Sequence, residues 1–405
     1  MKIPFSPPDM RGNEAAYVEK VLSSGWITTG PLTKEFEKKI SACCGVERTA
    51  CLSSGTAAME LALRVLNVGP GDEVITTPYT FSASAAVIEH VGATIVFVDV
   101  ERDGLFMPAD AVARAVTPRT KAVIPVDIGG APGDYDALRA ALESRKDLFT
   151  PHGEVQAQLG RAAIIGDCAH AFGATYKGKN VAQCPDFACF SFHAVKNLTT
   201  AEGGAVCFSS IGAVGADALY EQFMLLSLHG QNKDALAKTK LGAWEYDIVL
   251  PGYKCNMTDI MAAVGMAQLE RYDDMLARRA AMVARYNEYF DGTDVQPMPH
   301  EGAQFYGSHH LYITRIRGAS EQTRNAVIEA MARDGVSANV HYKPLPLMTA
   351  YKRMGFSIED YPKAYDFYKN EITLPLHTLL SDEMIDFAAN SCLAAVRAHA
   401  GRAYV

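Results

Sequence analysis

The sequence SFHAVKNLTTAEGGAV, residues 191–206, places Lys196 among small, apolar and hydroxyl side chains and contains two adjacent glycines. A solvated helix face carries more charge than this, and a buried strand rarely carries a lysine. The residues that lead into it, FACFSF at 187–192, have the length and composition of a buried strand. Lys196 is therefore predicted to lie in a glycine-rich loop just beyond a strand, although a lysine taken alone is usually an ordinary surface residue.

Other short apolar runs precede this stretch. The runs rich in β-branched residues predict buried strands at 73–77, 93–100, 121–128 and 162–167. Helical patterns lie between several of them, for example at 56–66 and 83–90. This alternation predicts an α/β domain whose largely parallel sheet is covered on both faces. Residues 143–161 are polar and poorly periodic, and we interpret them as an insertion before the strand that ends at Asp167.

The second part of the chain has a different pattern. With 405 residues the chain is too long for one ordinary core, so two domains are predicted. Apolar residues at helical spacing over 257–290 indicate one long helix or a broken pair, which connects a large domain at 1–265 to a smaller one at 266–405. The smaller domain is predicted to contain strands at 311–316 and 336–342 and a Ser-capped helix at 320–335.

Composition excludes several classes of function. The net charge is −8, which does not favour binding to nucleic acid or to an anionic membrane. No run of about 18 apolar residues predicts a membrane span, and the stretch MKIPFSPPDM at residues 1–10 contains no apolar run of signal-peptide length. The nine cysteines form no CxxC pair, so no metal site is predicted, and dispersed thiols indicate a cytoplasmic protein.

Several residues carry chemistry that neither a dinucleotide loop nor a P-loop supplies, since both motifs are absent. The sequence SSGTAAMELAL, residues 53–63, is either a phosphate-binding helix start or a simply capped helix. Asp167 ends a predicted strand, where a carboxylate either holds a cationic ring nitrogen or caps the next segment. His170 and Phe81 are candidates for ring contacts, although each taken alone is more often a packing residue.

These residues match the needs of one cofactor when they are taken together. Pyridoxal phosphate (PLP) has a phosphate, a protonatable ring nitrogen, a flat ring and an aldehyde. A helix start, a strand-end carboxylate, an aromatic side chain and Lys196 complement these four groups in turn. The combination predicts a PLP enzyme in which the lysine forms a Schiff base with the aldehyde.

Four motifs resemble the DegT/DnrJ/EryC1/StrS family of sugar aminotransferases: SGWITTGP at 24–31, GDEVITTPYTF at 71–81, GDCAHAFGATYKGK at 166–179 and the lysine stretch itself. The sequence PGYKCNMTDIMAAVGMAQLERYD at 251–273 extends the resemblance to nearly the whole chain. The resemblance implies the fold-type I architecture of aspartate aminotransferase, with a mostly parallel mixed sheet and a smaller C-terminal α+β domain. It also implies a homodimer whose active sites are shared between subunits.

The resemblance also implies roles for single residues. Lys196 and Asp167 are expected to be catalytic, with Asp167 on the ring nitrogen. The remaining cofactor contacts are expected from Gly55, Thr56, Phe81, His170, Ser191 and, from the other subunit, Asn256. Substrate contacts are expected from Thr28, Thr29, His310 and His341. The family often has a second histidine in HYxPLH, whereas this chain has HYKPLP with Pro346 at that position, which weakens the transfer of substrate contacts.

The implied reaction moves an amino group from L-glutamate to a nucleotide-linked keto-sugar and releases 2-oxoglutarate. A 4-keto sugar is the first expectation and a 3-keto sugar the near alternative. Some relatives are PLP-dependent sugar dehydratases with histidine in place of the lysine, and Lys196 favours transamination over that reaction. A non-enzymatic PLP-binding regulator is the remaining alternative.

Overall fold

The computed structural model describes residues 1–101, 104–232 and 245–400. The strands are β1 Arg48–Leu52, β2 Glu73–Thr76, β3 Thr94–Phe97, β4 Thr120–Ile124, β5 Ala163–Asp167, β6 Thr175–Tyr176, β7 Lys179–Asn180, β8 Phe187–Ser191, β9 Gly204–Phe208, β10 Val295–Pro297, β11 Phe305–Tyr306, β12 Tyr312–Ile316 and β13 Glu371–Leu374. The helices are α1 Glu14–Ser24, α2 Pro31–Cys44, α3 Gly55–Val65, α4 Ala83–His90, α5 Ala109–Ala115, α6 Tyr135–Glu143, α7 Glu154–Leu159, α8 Ala216–Ser227, α9 Asp259–Glu270, α10 Tyr272–Phe290, α11 Glu321–Arg333, α12 Thr349–Arg353, α13 Pro362–Tyr368 and α14 Asp382–His399.

The main sheet has seven strands in the order β1-β9-β8-β5-β4-β2-β3. Every pairing is parallel except those of β9, which runs antiparallel to both of its neighbours. Successive residues of one strand belong to different apolar clusters: Val74 and Ile165 pack on one face, whereas Ile75 and Ile164 pack on the other. The sheet is therefore buried on both faces, as the continuous apolar runs predict.

Helices α9 and α10 occupy the long periodic segment and break at Arg271, so the predicted broken pair is what forms. The domain boundary predicted after residue 265 lies inside α9. The N-terminal residues also cross that boundary, because Ile3 pairs with Val336 and is buried in the C-terminal apolar cluster.

The C-terminal part is built on the antiparallel sheet β10-β12-β13. Helices α10, α11 and α14 contribute Met282, Val327 and Ile385 to its apolar cluster. The strand predicted at 336–342 is wrong, because this segment makes only isolated bridges, one of them from Asn339 to Thr373. It instead continues into the His341–Tyr342 corner that reaches the functional site.

The segment 143–161 packs against the main-sheet domain. It begins as α6 ends, contains α7, and inserts Gln156, whose Nε2 donates to the Leu66 carbonyl at 2.5 Å. Arg161 at its end pairs with the buried Asp186 at 2.8 Å. All nine cysteines are free thiols. None of the helices in the described ranges has the length and apolar character needed to span a bilayer.

Candidate active site

A cavity of ≈ 370 Å³ opens beyond the carboxyl ends of β5 and β8, the end at which open parallel sheets bind ligands. Its walls come from the start of α3, from the loops after β2, β5 and β8, and from the His341–Tyr342 corner. The predicted site residues that line it are Gly55, Thr56, Phe81, Asp167, His170, Ser191, Lys196 and His341. The fold therefore brings together side chains that are up to 286 positions apart in the sequence.

Four predicted site residues do not line this cavity. His310 lies behind His170, with 4.5 Å between the ring centroids. Thr29 and Asn256 form a separate cluster, in which Asn256 Nδ2 donates to Thr29 Oγ1 at 2.5 Å and Lys254 donates to Asn256 Oδ1. Thr28 is beside this cluster, since its carbonyl accepts from the Asp259 N–H at 3.1 Å. The expectation that Asn256 serves the partner's site stays a prediction.

The start of α3 is arranged to bind an anion. Ser54 is extended and caps the helix by accepting from the Ala57 N–H at 3.0 Å. The preceding amides, those of Gly55 and Thr56, have no acceptor within the helix and are at its positive end. A Cβ on Gly204 would lie 2.3 Å from the Gly55 nitrogen, so only glycine lets β9 pack directly on this helix start. Gly204 therefore permits this close approach, and Gly55 and Thr56 line the cavity.

Asp167 ends β5 and is 5% exposed. Ser84 Oγ donates to its Oδ2 at 2.6 Å, and the Ala169 N–H donates to Oδ1 at 3.3 Å. Burial raises the pKa of Asp167, while the Ser84 hydrogen bond and the Lys196 charge act in the opposite direction. A buried carboxylate of this kind gains most from a cation placed against it.

Lys196 lies in the loop between β8 and β9. This loop closes on itself because the Phe192 N–H donates to the Gly203 carbonyl at 2.8 Å and the Thr200 N–H donates to the Phe192 carbonyl at 2.9 Å. Burial lowers the pKa of Lys196 to about 8, and the Asp167 charge only partly opposes this. The amine is therefore neutral far more often than an exposed lysine at the same pH, which a nucleophile or proton acceptor requires.

His170 has a defined tautomer. The Gly129 N–H donates to its Nδ1 at 3.2 Å, so Nδ1 is the bare nitrogen and Nε2 carries the proton. Nε2 is 3.2 Å from the Tyr342 hydroxyl, which accepts from it. Burial holds the pKa of His170 well below its ordinary value, so the ring is neutral. His170 is thus a fixed hydrogen-bond donor at the cavity wall.

Phe81 and Tyr342 form the aromatic part of the wall. Their ring centroids are 6.0 Å apart, and Phe81 remains 61% exposed. Sequence reasoning missed Tyr342, Ser84 and Asn197. Only Tyr342 had a local signal, its position beside His341, whereas Asn197 acts through tertiary contacts, donating to the Ser308 carbonyl at 2.7 Å and accepting from His310 Nδ1 at 2.8 Å.

The chemistry of these groups fits PLP. The free amides of α3 with Thr56 and Ser191 suit a phosphate, Asp167 suits a protonated ring nitrogen, and the Lys196 amine suits an aldehyde. Phe81 offers a flat apolar face of the right kind for a ring.

Comparisons with known proteins point to the same chemistry. The sequence profile of the DegT/DnrJ/EryC1/StrS aminotransferase family matches residues 8–392. The PMP form of Spr1654 from Streptococcus pneumoniae, described as a sugar aminotransferase, superposes with a TM-score of 0.95 at 51% identity and covers 97% of this chain and 99% of that chain. Its PLP form gives a TM-score of 0.94 at 50% identity, with 98% of each chain covered.

Two further relatives are more distant. SpsC, a spore coat polysaccharide biosynthesis protein of Bacillus subtilis, is 36% identical over 390 residues, which are 95% of this chain and 94% of SpsC. PseC of Helicobacter pylori, an aminotransferase involved in the biosynthesis of pseudoaminic acid, superposes with a TM-score of 0.86 at 26% identity over 98% of this chain and 100% of that chain.

Proposed function

The chain belongs to the DegT/DnrJ/EryC1/StrS aminotransferase family, and on that premise we propose that it transfers an amino group from L-glutamate to the C4 keto group of a nucleotide-linked sugar. The coarser activity, that of a PLP-dependent sugar aminotransferase with the fold-type I architecture, follows from the family and from the PLP and PMP forms of Spr1654. The observation that carries the proposal is the convergence of Lys196, Asp167 and His170 on one cavity beside a free helix start.

When bound, PLP supplies an aldehyde that takes up the amino group and a ring that withdraws electrons. The amides of Gly55 and Thr56 and the Ser191 hydroxyl bind its phosphate in this proposal. The Asp167 carboxylate keeps a positive charge at the ring nitrogen. His170 lies beside the ring, and its Nε2–H is donated to the Tyr342 hydroxyl at 3.2 Å, which holds the imidazole in place.

Lys196 Nζ is the group that moves the proton. With its pKa lowered to about 8, an appreciable fraction of the amine is neutral at neutral pH. A neutral Nζ accepts the proton from the α-carbon of the amino donor, and the resulting ammonium returns it to the cofactor carbon that carried the aldehyde. The Asp167 charge attracts that ammonium, but burial has the larger effect on the pKa of Lys196, so the ammonium can still release its proton.

The presence of lysine at position 196 favours transamination over dehydration, since the dehydratases of this family have histidine there. A keto group at C3 is the alternative acceptor, and a PLP-binding regulator is the non-enzymatic alternative. Two resemblances support the C4 acceptor and a role in surface polysaccharide synthesis: the motifs are similar to those of UDP-4-amino-4-deoxy-L-arabinose–oxoglutarate aminotransferase, and SpsC acts in polysaccharide biosynthesis.

We also propose that the enzyme works as a homodimer with shared sites. The support is that Phe81 is 61% exposed at the cavity mouth, and that Thr29 and Asn256 lie together outside the cavity of their own chain. A second subunit would cover Phe81, and its own cavity would be approached by Thr29 and Asn256. Thr28, Thr29, His310 and His341 are the proposed substrate-side residues, with His310 acting from behind His170.

A panel of UDP-, dTDP- and GDP-linked 3-keto and 4-keto sugars, incubated with 15N-glutamate and analysed by mass spectrometry, tests the proposal. The expected product gains one 15N atom in place of the keto oxygen, and NMR locates it at C4. Lys196→Arg, which keeps the charge and the bulk, is the control and should give no product. Loss of water without gain of nitrogen would support the dehydratase, and nitrogen at C3 would overturn the C4 assignment.

A further inference from the structure

Glu371 on β13 is a buried carboxylate that neither lines the cavity nor pairs directly with a cationic side chain among the described residues. Its Oε2 accepts from the His341 main-chain N–H at 3.0 Å. Its Oε1 lies 2.5 Å from Thr373 Oγ1, and Thr373 Oγ1 lies 3.0 Å from His341 Nδ1. Glu371 and Thr373 are both fully buried. A continuous hydrogen-bonded chain therefore runs from the interior of the small sheet to a histidine of the cavity wall.

The hydroxyl in the middle of this chain has only one proton to donate. When Glu371 is a carboxylate, Thr373 donates to it and must accept from His341 Nδ1–H, which leaves Nε2 bare. When Glu371 is a carboxylic acid, it donates to Thr373, and the hydroxyl then donates to His341 Nδ1. In that state Nε2 carries the proton. The two protonation states of Glu371 thus correspond to opposite tautomers of His341.

The free nitrogen of His341 is the one that matters to a ligand. Its Nδ1 is held by Thr373, whereas no group in the described part of the chain pairs with Nε2. His341 lines the same cavity as Lys196 and Asp167, and its ring stacks on Phe5 with 5.4 Å between centroids. The orientation of the ring is therefore fixed on two sides, and Nε2 is left for a bound molecule.

We propose that Glu371 and Thr373 are positioning residues that select the tautomer of His341, and thereby decide whether His341 offers the sugar substrate a hydrogen-bond donor or an acceptor. This deepens the proposed function and rests on it for the identity of the substrate. No step of covalent chemistry is assigned to Glu371 or Thr373, because both act only through His341.

The groups that face Glu371 allow both states near neutral pH. Burial raises the pKa of Glu371 to about 8, while Arg324 on α11 acts in the opposite direction. Arg324 does not form an ion pair with this carboxylate, because its Nη1 donates at 3.0 Å to the Glu371 main-chain carbonyl instead. Arg315 is the partner of Glu371 across the sheet on β12, and its guanidinium pairs with Asp366 at 3.0 Å. Tyr79 and Tyr342 also face Glu371, and burial keeps both in the phenol form.

His341 itself does not become charged in this scheme. Burial and the Lys196 charge lower the pKa of His341 to about 3, so its imidazole stays neutral. Its other titratable neighbours are Tyr342 and His170 in the cavity wall and His310 behind His170. Burial lowers the pKa of both histidines well below its ordinary value and raises that of Tyr342. The only change at His341 is therefore the position of one proton.

Three substitutions distinguish an effect of the hydrogen-bonded chain Glu371–Thr373–His341, called the relay below, from an effect of packing alone. Glu371→Gln preserves shape, and its amide group donates to Thr373 while its oxygen accepts from the His341 N–H, so it imposes the Nε2–H tautomer at every pH. Thr373→Val preserves shape without the hydroxyl and breaks the relay. Thr373→Ser keeps the hydroxyl and should behave as the native chain.

Long-range 15N–1H NMR of the full-length holoenzyme, labelled at its 11 histidines, reads the tautomer directly, and loss of a signal in His341→Gln assigns it. In the native chain and in Thr373→Ser the His341 proton should move from Nε2 to Nδ1 as the pH rises through about 8. In Glu371→Gln it should stay on Nε2, and in Thr373→Val its position should not depend on pH. The same tautomer in the native chain and Glu371→Gln at every pH would overturn the proposal.

A kinetic measurement tests the substrate half. Above pH about 8, the KM for the keto-sugar should differ about 10-fold between the native chain and Glu371→Gln, the effect of one hydrogen bond, with kcat nearly unchanged. Below that pH the two should agree. If the KM values of the two chains are equal both above and below that pH, while the tautomers are as expected, the relay does not act on the substrate. If no keto-sugar reacts at all, the proposed function fails, while the NMR result still decides the tautomer.

Discussion

Replacing Asp167 by asparagine should separate catalysis from folding. The amide has the same shape, and its Oδ1 can still accept from the Ala169 N–H, while its Nδ2 can donate to Ser84 Oγ, so the local hydrogen bonds survive. What disappears is the negative charge opposite the ring nitrogen. Removing one member of a buried charge pair costs about 3 to 5 kcal/mol. A loss of that size from the transition state lowers kcat about 10²- to 10⁴-fold.

Stability should not follow activity in this variant. Burial raises the pKa of Asp167, so in the apoenzyme the ionised form opposes folding at pH values above the raised pKa. Removing the charge therefore leaves the apoenzyme at neutral pH as stable as the native chain or slightly more stable. Below the ordinary pKa of aspartate the two chains should be equally stable, because the native side chain is then neutral in both the folded and the unfolded state.

The assay compares kcat with the midpoint of thermal unfolding for the native chain, Asp167→Asn and a matched control, Asp127→Asn. Asp127 is also fully buried and lies one strand away, but it contacts Tyr135 and Cys168 instead of the cavity. Because burial raises the pKa of Asp127 to about 7, its variant should also keep its stability at neutral pH, and it should keep kcat within a few-fold. Turnover of Asp167→Asn within about tenfold of the native chain would refute the role of its charge.

Three further predictions concern the same site. Ser191→Ala should weaken PLP binding about 10- to 100-fold through the loss of one charge-assisted hydrogen bond, and leave kcat nearly intact at saturating PLP; an unchanged dissociation constant in a fluorescence titration would contradict this. Reconstitution of the apoenzyme with PLP should accelerate as the pH rises through about 8, since the neutral Lys196 amine is the reactive form; a midpoint near that of exposed lysines, measured by stopped-flow absorbance, would refute it. Mixing inactive Lys196→Ala and Asn256→Ala subunits should restore about one working site per mixed dimer, and no recovery of activity would argue against Asn256 crossing the interface.

The sequence predicted the architecture well because each strand of the main sheet can be recognised from its own residues. Strands β4 and β5 are buried on both faces, so their continuous apolar runs could be recognised without knowing their neighbours. The predicted fold class, family and PLP chemistry are confirmed by the topology and by the relatives. The strand predicted at 336–342 is wrong although the composition of the segment is typical of a strand. Asn339 pairs with Thr373 at a single bridge, and a strand needs pairing over several residues.

Site residues could be predicted only where the functional group of one residue, or its sequence neighbours, indicated the chemistry. Lys196 and Asp167 were predicted from the groups they carry, and both line the cavity, while their catalytic roles stay predictions. Ser84 and Tyr342 were not, because they act through contacts across 83 and 172 positions of sequence, on Asp167 and His170 respectively. His310 packs behind His170, and only the tertiary structure reveals which of the two histidines lines the cavity. The role of His310 towards the substrate stays a prediction.

Borohydride reduction of the PLP-loaded enzyme, followed by peptide mapping, tests the central claim most directly. The account predicts that reduction fixes PLP permanently on the peptide that contains Lys196, at one PLP per chain, and that Lys196→Arg takes up no label at that position. Label on another lysine, for example on Lys254 beside Asn256, or no covalent label in a chain that binds PLP tightly, would contradict the assignment of Lys196 as the lysine that holds the cofactor.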